Sequence, residues 1–212
     1  MRVIAGSAKG RQLLPVPGEG TRPVTDRVKE SLFDILGGDV EGARFLDLFA
    51  GTGSVGIEAL SRGAERAVFV ENARKAVGTL RRNLQATGLA DRAQVVQGDV
   101  FRFLAREAGT RAYHYVYVAP PQYRGLWARA LLAIDAGGLL APDGQVIVQI
   151  HPKEYHALPL QRLHLVDERR YGSTLLLFYE PTPVDGGVPA EAEANSDQGA
   201  FSPKGAASAR GI

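Results

Sequence analysis

Between positions 44 and 150 short apolar runs alternate with longer stretches of helical periodicity. The runs at 44–49, 67–71, 94–97, 113–118 and 144–150 read as strands, several of them apolar without alternation, as strands covered on both faces are. The intervals read as helices. In 72–86, Ala73, Ala76, Val77, Leu80 and Leu84 share one face, while Arg74, Lys75, Arg81 and Arg82 make a solvated one. Such alternation predicts βαβ units, hence an α/β fold with a mostly parallel twisted sheet and helices on both faces.

The flanks read differently. Arg2–Ala5 and Arg11–Leu14 enclose a glycine-containing turn and predict a β-hairpin. A Pro/Gly-rich loop, 15–23, leads to a helix from Thr25 or Asp26 through Leu36, with Val28, Leu32, Phe33, Ile35 and Leu36 inward and Gly37-Gly38 ending it. Beyond the central region, Leu163, Leu165 and Val166 predict a strand and 173–179 a very apolar last one, joined by a turn at 169–172, so that the sheet closes on an antiparallel strand. After Pro181 the composition turns to Gly, Ala, Ser, Pro and acids, too poor in apolar area to fold. The expected organisation is a hairpin extension over 1–20, a catalytic domain over 21–181 and a disordered tail over 182–212.

Composition narrows the function classes. There is no cysteine, and the four histidines are scattered, so neither a disulfide framework nor a metal site is expected. No apolar run is long enough to span a bilayer, and Met1-Arg2-Val3-Ile4 lacks the apolar stretch of a signal peptide, which predicts a cytoplasmic protein without a membrane partner. The net charge is +2, and the tail carries more acids than bases, leaving a more positive body compatible with nucleic acid. Arg2, Lys9 and Arg11 on the hairpin suit either phosphate contacts or a charged, solvated edge. Arg22 suits a carboxylate or phosphate, or the plain surface.

The chemistry centres on 47–58, Asp-Leu-Phe-Ala-Gly-Thr-Gly-Ser-Val-Gly-Ile-Glu, a strand end, a glycine turn and a helix that Ser54 can cap. Glycines admit unusual φ/ψ and carry no Cβ, so a cofactor can approach the backbone there. Gly51-x-Gly53-x-x-Gly56 fits nicotinamide dinucleotide as well as S-adenosylmethionine. Downstream acids bear on the choice. Glu71 ends the second strand, where ribose hydroxyls sit, and Asp99 ends the third, where an adenine amino group can be met; alone, each is as well explained as a helix cap. Asp47 favours the methyl donor, because a carboxylate repels pyrophosphate and attracts an ammonium or sulfonium.

The order acid, aromatic, Ala, Gly, Thr, Gly resembles motif I of the Rossmann-like methyltransferases. Val118-Ala119-Pro120-Pro121-Gln122-Tyr123 resembles the Asp/Asn-Pro-Pro-Tyr/Phe motif of amino-group methyltransferases, in which the polar side chain and the first proline carbonyl accept from the target amine and the aromatic stacks on a base. Here Ala119 replaces the acid, Gln122 holds the aromatic position, and Tyr123 is shifted by one. The segments Met1–Gly6, Lys9-Gly10-Arg11, Arg22–Phe33, Asp47–Gly53, Gly56–Ala64, Asn83-Leu84 and Tyr171–Thr174 resemble the RsmD family of 16S ribosomal RNA guanine-N2 methyltransferases. That resemblance implies a Rossmann-like methyltransferase fold and an S-adenosylmethionine pocket of Asp47, Phe49, Gly51, Gly53, Glu71, Asn72, Asp99 and Val100, approached by Arg22 and Thr25. It further implies transfer at Pro120 and Tyr123, beside Ala119 and Gln122, and RNA contacts by Arg2, Lys9, Arg11 and Arg124. The expected partner is 16S ribosomal RNA in the small subunit or an assembly intermediate, met by a monomer. Two other readings stand beside it: an RNA-binding assembly protein of the same fold, suggested by Ala119, and an NAD-dependent oxidoreductase.

Overall fold

Among the described residues seven strands form one sheet in the order β3-β2-β1-β4-β5-β7-β6. They are β1 (Arg44–Leu48), β2 (Arg66–Glu71), β3 (Ala93–Gln97), β4 (Tyr113–Val118), β5 (Leu140–Ile150), β6 (Leu163–Tyr171) and β7 (Thr174–Pro181). The computed structural model describes residues 1–18 and 25–183. The first five strands are parallel, and β7 inserts antiparallel between β5 and β6. Strand order reverses between β1 and β4, and the crevice above a reversal, at the carboxyl ends, is where this architecture receives ligands. The fold is Rossmann-like. Met1–Thr182 makes one compact unit; all but the first two residues of the tail expected over 182–212 lie outside the described ones, as does Arg22.

The period-two side-chain alternation divides the core into two layers. Phe45, Phe69, Tyr117 and Ile147 face a layer with Phe33 from α1 (Asp26–Leu36), Ile57 from α2 (Ser54–Ser61) and Leu80 from α3 (Arg74–Thr87). Leu46, Leu48, Val116 and Val118 face the other, with Phe103 from α4 (Val100–Arg106) and Trp127 and Leu131 from α5 (Leu126–Gly137). Both faces of the central strands are therefore covered, which accounts for their unbroken apolar runs.

Several local expectations shift. Ile35 is 41% exposed, while Lys29 is fully buried, because the stripe facing the sheet runs through Lys29, Leu32, Phe33 and Leu36. The turn expected at 169–172 shrinks to Gly172-Ser173, with Gly172 at φ +60°, and β6 continues through Tyr171. Ladder pairing of Arg169, Arg170 and Tyr171 with β7 outweighs their turn-like composition. Strand β5 begins at Leu140 and absorbs Pro142 and Asp143 in a register shift against β4.

The N-terminal hairpin is reduced to one antiparallel bridge, Arg2↔Gln12. The cause is competition for its backbone. Ile4 and Ala5 donate their N–H groups to the Glu58 carboxylate, at 2.8 and 3.0 Å, and so cannot extend a ladder. Val3, Ala8 and Leu13 enter the core as α1 does, so this stretch is part of the body. Glu58, itself fully buried, also holds Lys29 Nζ at 3.2 Å and Arg62 Nε at 2.9 Å. Lys29 Nζ donates onward to the Arg2 carbonyl at 2.6 Å.

Candidate active site

The glycine turn lies between β1 and α2. Phe49 departs from strand geometry at φ +60°, and Gly51 and Gly53 follow at +54° and +77°, so a left-handed backbone carries the chain over the strand ends. Only glycine holds two of these positions without strain. Gly53, not Ser54, is the N-cap of α2; Ser54 is inside the helix and buried. A Cβ on Gly53 would stand 2.1 Å from Leu80 Cδ1, and one on Gly56 would stand 2.4 Å from the Phe69 ring, so the turn sits hard against α3 and β2. By contrast, a Cβ on Gly51 would meet only the Phe49 carbonyl at 4.0 Å, and one on Gly98 would meet nothing. At these two strand ends the backbone is open to a ligand.

The acids frame that opening unequally. Asp47 is 2% exposed, and its Oδ2 accepts from the Gly56 N–H at 3.0 Å. Burial pushes its carboxyl up to about 8, against the opposing Gly56 hydrogen bond and with the Glu71 carboxylate adding to the rise. Glu71 is anchored through both oxygens, Oε2 to the Gly51 N–H at 2.9 Å and Oε1 to the Ala73 N–H at 2.8 Å, leaving each oxygen a further lone pair. Asp99 caps α4, accepting from the Arg102 N–H at 2.9 Å, and remains exposed, with Val100 buried beneath it. Asn72 is exposed and precedes α3, which starts at Arg74. Among the described residues none of these acids has an ion-pair partner. The donor set fits a cationic nucleoside and opposes a pyrophosphate.

Two aromatic rings and an arginine lie beside Asp99. Phe49 meets Phe101 edge-on at 6.3 Å, and the Arg129 guanidinium lies 3.6 Å from the Phe101 ring centroid. Thr25 caps α1, its hydroxyl accepting from the Val28 N–H at 3.3 Å. Asn83 on α3 is a clamp: Oδ1 accepts from the Leu14 N–H at 2.8 Å, while Nδ2 donates to the Leu14 and Thr52 carbonyls at 3.2 and 3.0 Å. The glycine turn and the N-terminal stretch are thus fastened to one amide.

Across the strand-order reversal, Ala119 and Pro120 leave β4, followed by an exposed loop of Pro121, Gln122, Tyr123, Arg124 and Gly125. Tyr123 is 65% exposed, has φ +58°, and its ring tilts against His151 at 5.6 Å. Its N–H donates to Glu154 Oε1 at 2.7 Å, and Glu154 also accepts from the His151 N–H at 3.2 Å. The loop is therefore tied to the end of β5, with the tyrosine displayed to solvent. Arg2 pairs weakly with Asp26 at 3.6 Å and is exposed; Lys9, Arg11 and Arg124 are exposed as well. Ser7 N–H donates to the Ser61 carbonyl, so the Lys9 turn lies at the end of α2 remote from the glycines, whereas Leu14 is clamped beside them.

Pattern reading passed over Glu58, Lys29, His151 and Glu154. A signal existed for two of them: Lys29 falls on the apolar stripe of α1, and Glu58 is a lone charge within Val55–Leu60. Among the described residues no group of three or more His, Asp or Glu is placed to hold a metal ion, and no helix is long and apolar enough to cross a membrane.

The family model described as Conserved hypothetical protein 95 matches residues 1–180. The chain belongs to the RsmD family of methyltransferases. Ribosomal RNA small subunit methyltransferase D of Escherichia coli (strain K12) is 41% identical over 150 residues, spanning 70% of this chain and 74% of that protein. YlbH of Bacillus subtilis (strain 168), provisionally named an rRNA methyltransferase, is 43% identical over 187 residues, 85% of this chain and 98% of its own. Among solved structures, YhhF of Escherichia coli, provisionally named a methyltransferase, superposes with a TM-score of 0.75 at 35% identity, covering 85% of this chain and 97% of that one.

Proposed function

We propose that this member of the RsmD family transfers a methyl group to the exocyclic N2 of a guanine in 16S ribosomal RNA, acting as a monomer on the small subunit or an assembly intermediate. It is an rRNA methyltransferase, and S-adenosylmethionine is its cofactor. The observation that carries the reading is a buried Asp47, without an ion-pair partner among the described residues, beside an open glycine turn and across the strand-order reversal from a Pro-Pro loop that displays an aromatic ring. When bound, S-adenosylmethionine supplies a methyl group activated by a sulfonium. The chain's residues then divide the work. Asp47, Glu71 and Asp99, with Phe49, Gly51, Gly53, Asn72 and Val100, hold the donor, and Arg22 and Thr25 approach it. The Pro120 carbonyl accepts from the amine, Tyr123 stacks on the base with Gln122 and Ala119 beside it, and Arg2, Lys9, Arg11 and Arg124 meet phosphates.

Nucleoside mass spectrometry tests this directly. Small-subunit RNA from a strain lacking the protein should miss one N2-methylguanosine, and the purified protein with S-adenosylmethionine should restore it. Unchanged RNA in both arms would refute the proposal. Ala119 favours a second reading, an RNA-binding assembly factor without transferase activity; S-adenosylmethionine binding with no transfer to any RNA or subunit would select it. The acids that line the opening would repel a pyrophosphate, which disfavours an NAD-dependent oxidoreductase.

A further inference from the structure

The alanine at 119 removes a side-chain acceptor from the place where an amine would be held, and the neighbouring strand supplies one. The parallel ladder between β4 and β5 runs Tyr117↔Ile147, Val118↔Val148, so its next step sets Ala119 beside Gln149. Tyr117 and Ile147 face one core layer, and Ala119 packs against the same layer; by strand alternation Gln149 projects to that side too. The Tyr117 hydroxyl donates to Gln149 Oε1 at 2.6 Å. Tyr117 is 2% exposed, and burial keeps its hydroxyl protonated well above the ordinary phenol range, with the Asp47 charge adding to this. The hydroxyl is thus a permanent donor, which fixes which end of the amide faces it. Gln149 is half-buried, and its backbone pairs with Leu176 of β7.

We propose that Gln149 is the side-chain acceptor for the target amine, taking the role that Ala119 cannot. The inference rests on the reading of the protein as an rRNA amine methyltransferase. A glutamine carbonyl has two lone pairs; Tyr117 occupies one and leaves the other for an amine N–H, while the Pro120 carbonyl accepts the second N–H. Holding both hydrogens leaves the nitrogen lone pair directed away from them. As the nitrogen–carbon bond forms and the carbon–sulfur bond breaks, the electron pair of the broken bond stays on sulfur, and the methylated nitrogen, cationic at that moment, gives its proton to water. Neither carbonyl is basic enough to keep that proton, so a neutral amide serves for orientation and for stabilising developing positive charge. Asp47↔Tyr117 are register partners on adjacent strands, so the tyrosine that orients Gln149 stands next to the acid assigned to the donor, across the reversal where donor and acceptor must meet.

The test compares wild type, Gln149→Ala, Ala119→Asp and the double variant in single-turnover methyl transfer to small-subunit RNA, with S-adenosylmethionine affinity measured in parallel. In the cofactor-free wild type, the Gln149 side-chain amide resonance is followed as RNA is added. Expected are a roughly hundredfold slower transfer in Gln149→Ala with unchanged donor affinity, as for loss of one oriented polar contact to a reacting group, recovery to within about tenfold in the double variant, and movement of the amide resonance with RNA. A wild-type rate in Gln149→Ala, no recovery in the double variant, or a stationary resonance would overturn the proposal. If Gln149→Ala does not fold, the resonance decides. Transfer by wild type that Gln149→Ala leaves undiminished would refute the role of Gln149 and leave the functional reading intact. Donor binding with transfer by neither protein would refute the functional reading, and Gln149 with it.

Discussion

Replacing Asp47 by Asn tests whether the acid beneath the glycine turn is held in readiness for a positive charge. In the folded protein its carboxyl lies at about 8 instead of 3.8, principally because it is buried. The unfolded chain sheds this proton near the lower value and the folded chain near the higher, so between them folding takes up one proton. The sign follows: the contribution to stability is fully present below about 3.8 and is lost as pH rises through about 8. Each pH unit in that window removes about 1.4 kcal/mol, on the order of 6 kcal/mol in all, a large fraction of the stability of an ordinary domain. Asparagine keeps an oxygen for the Gly56 N–H and has no proton to lose. Urea unfolding of both proteins at intervals from pH 4 to pH 9 should therefore show the variant gaining on wild type as pH rises. Calorimetry should show the opposite for function, with donor affinity in wild type rising towards pH 8 as the carboxylate forms, and the variant weak and flat. A stability difference independent of pH would refute the reasoning.

Other predictions concern different parts of the molecule. Glu58→Gln leaves Lys29 without its buried counter-charge and should cost about 3–5 kcal/mol, with amide exchange at Ile4 and Ala5 accelerating ahead of the core; wild-type exchange there would refute the docking role. Gly78, in α3, has open space where a Cβ would stand, with nothing within 4 Å, and should tolerate Ala with a gain of about 0.5–1 kcal/mol in denaturant titration. Lys9→Ala with Arg11→Ala should weaken RNA binding uniformly across sequences and lower the salt slope by about 2 if both meet phosphates; an unchanged slope assigns them to a solvated edge.

The architecture was legible because a doubly covered parallel sheet writes its strands as plain apolar runs, and because Gly51, Gly53, Glu71 and Asp99 each mark a strand end. What escaped the pattern was whatever depends on a partner distant in sequence. The N-terminal stretch reads as a hairpin until Glu58 is seen taking the N–H groups of Ile4 and Ala5. Ile35 and Lys29 exchange inside and outside because a buried carboxylate makes lysine the better fit. Gln149 gives no local sign at all, since its significance comes from register with a residue that is missing its acid.

The clamp at Asn83 also bears on the order of events during synthesis. Leu14 leaves the ribosome early, yet the amide that fastens it belongs to a residue 69 positions later, and Ile4 waits 54 positions for Glu58. Closing such long loops precedes any reward from the contacts they make. The nascent chain therefore carries this stretch undocked until α2 and α3 exist, and docks it only in the step that also braces the glycine turn at Thr52.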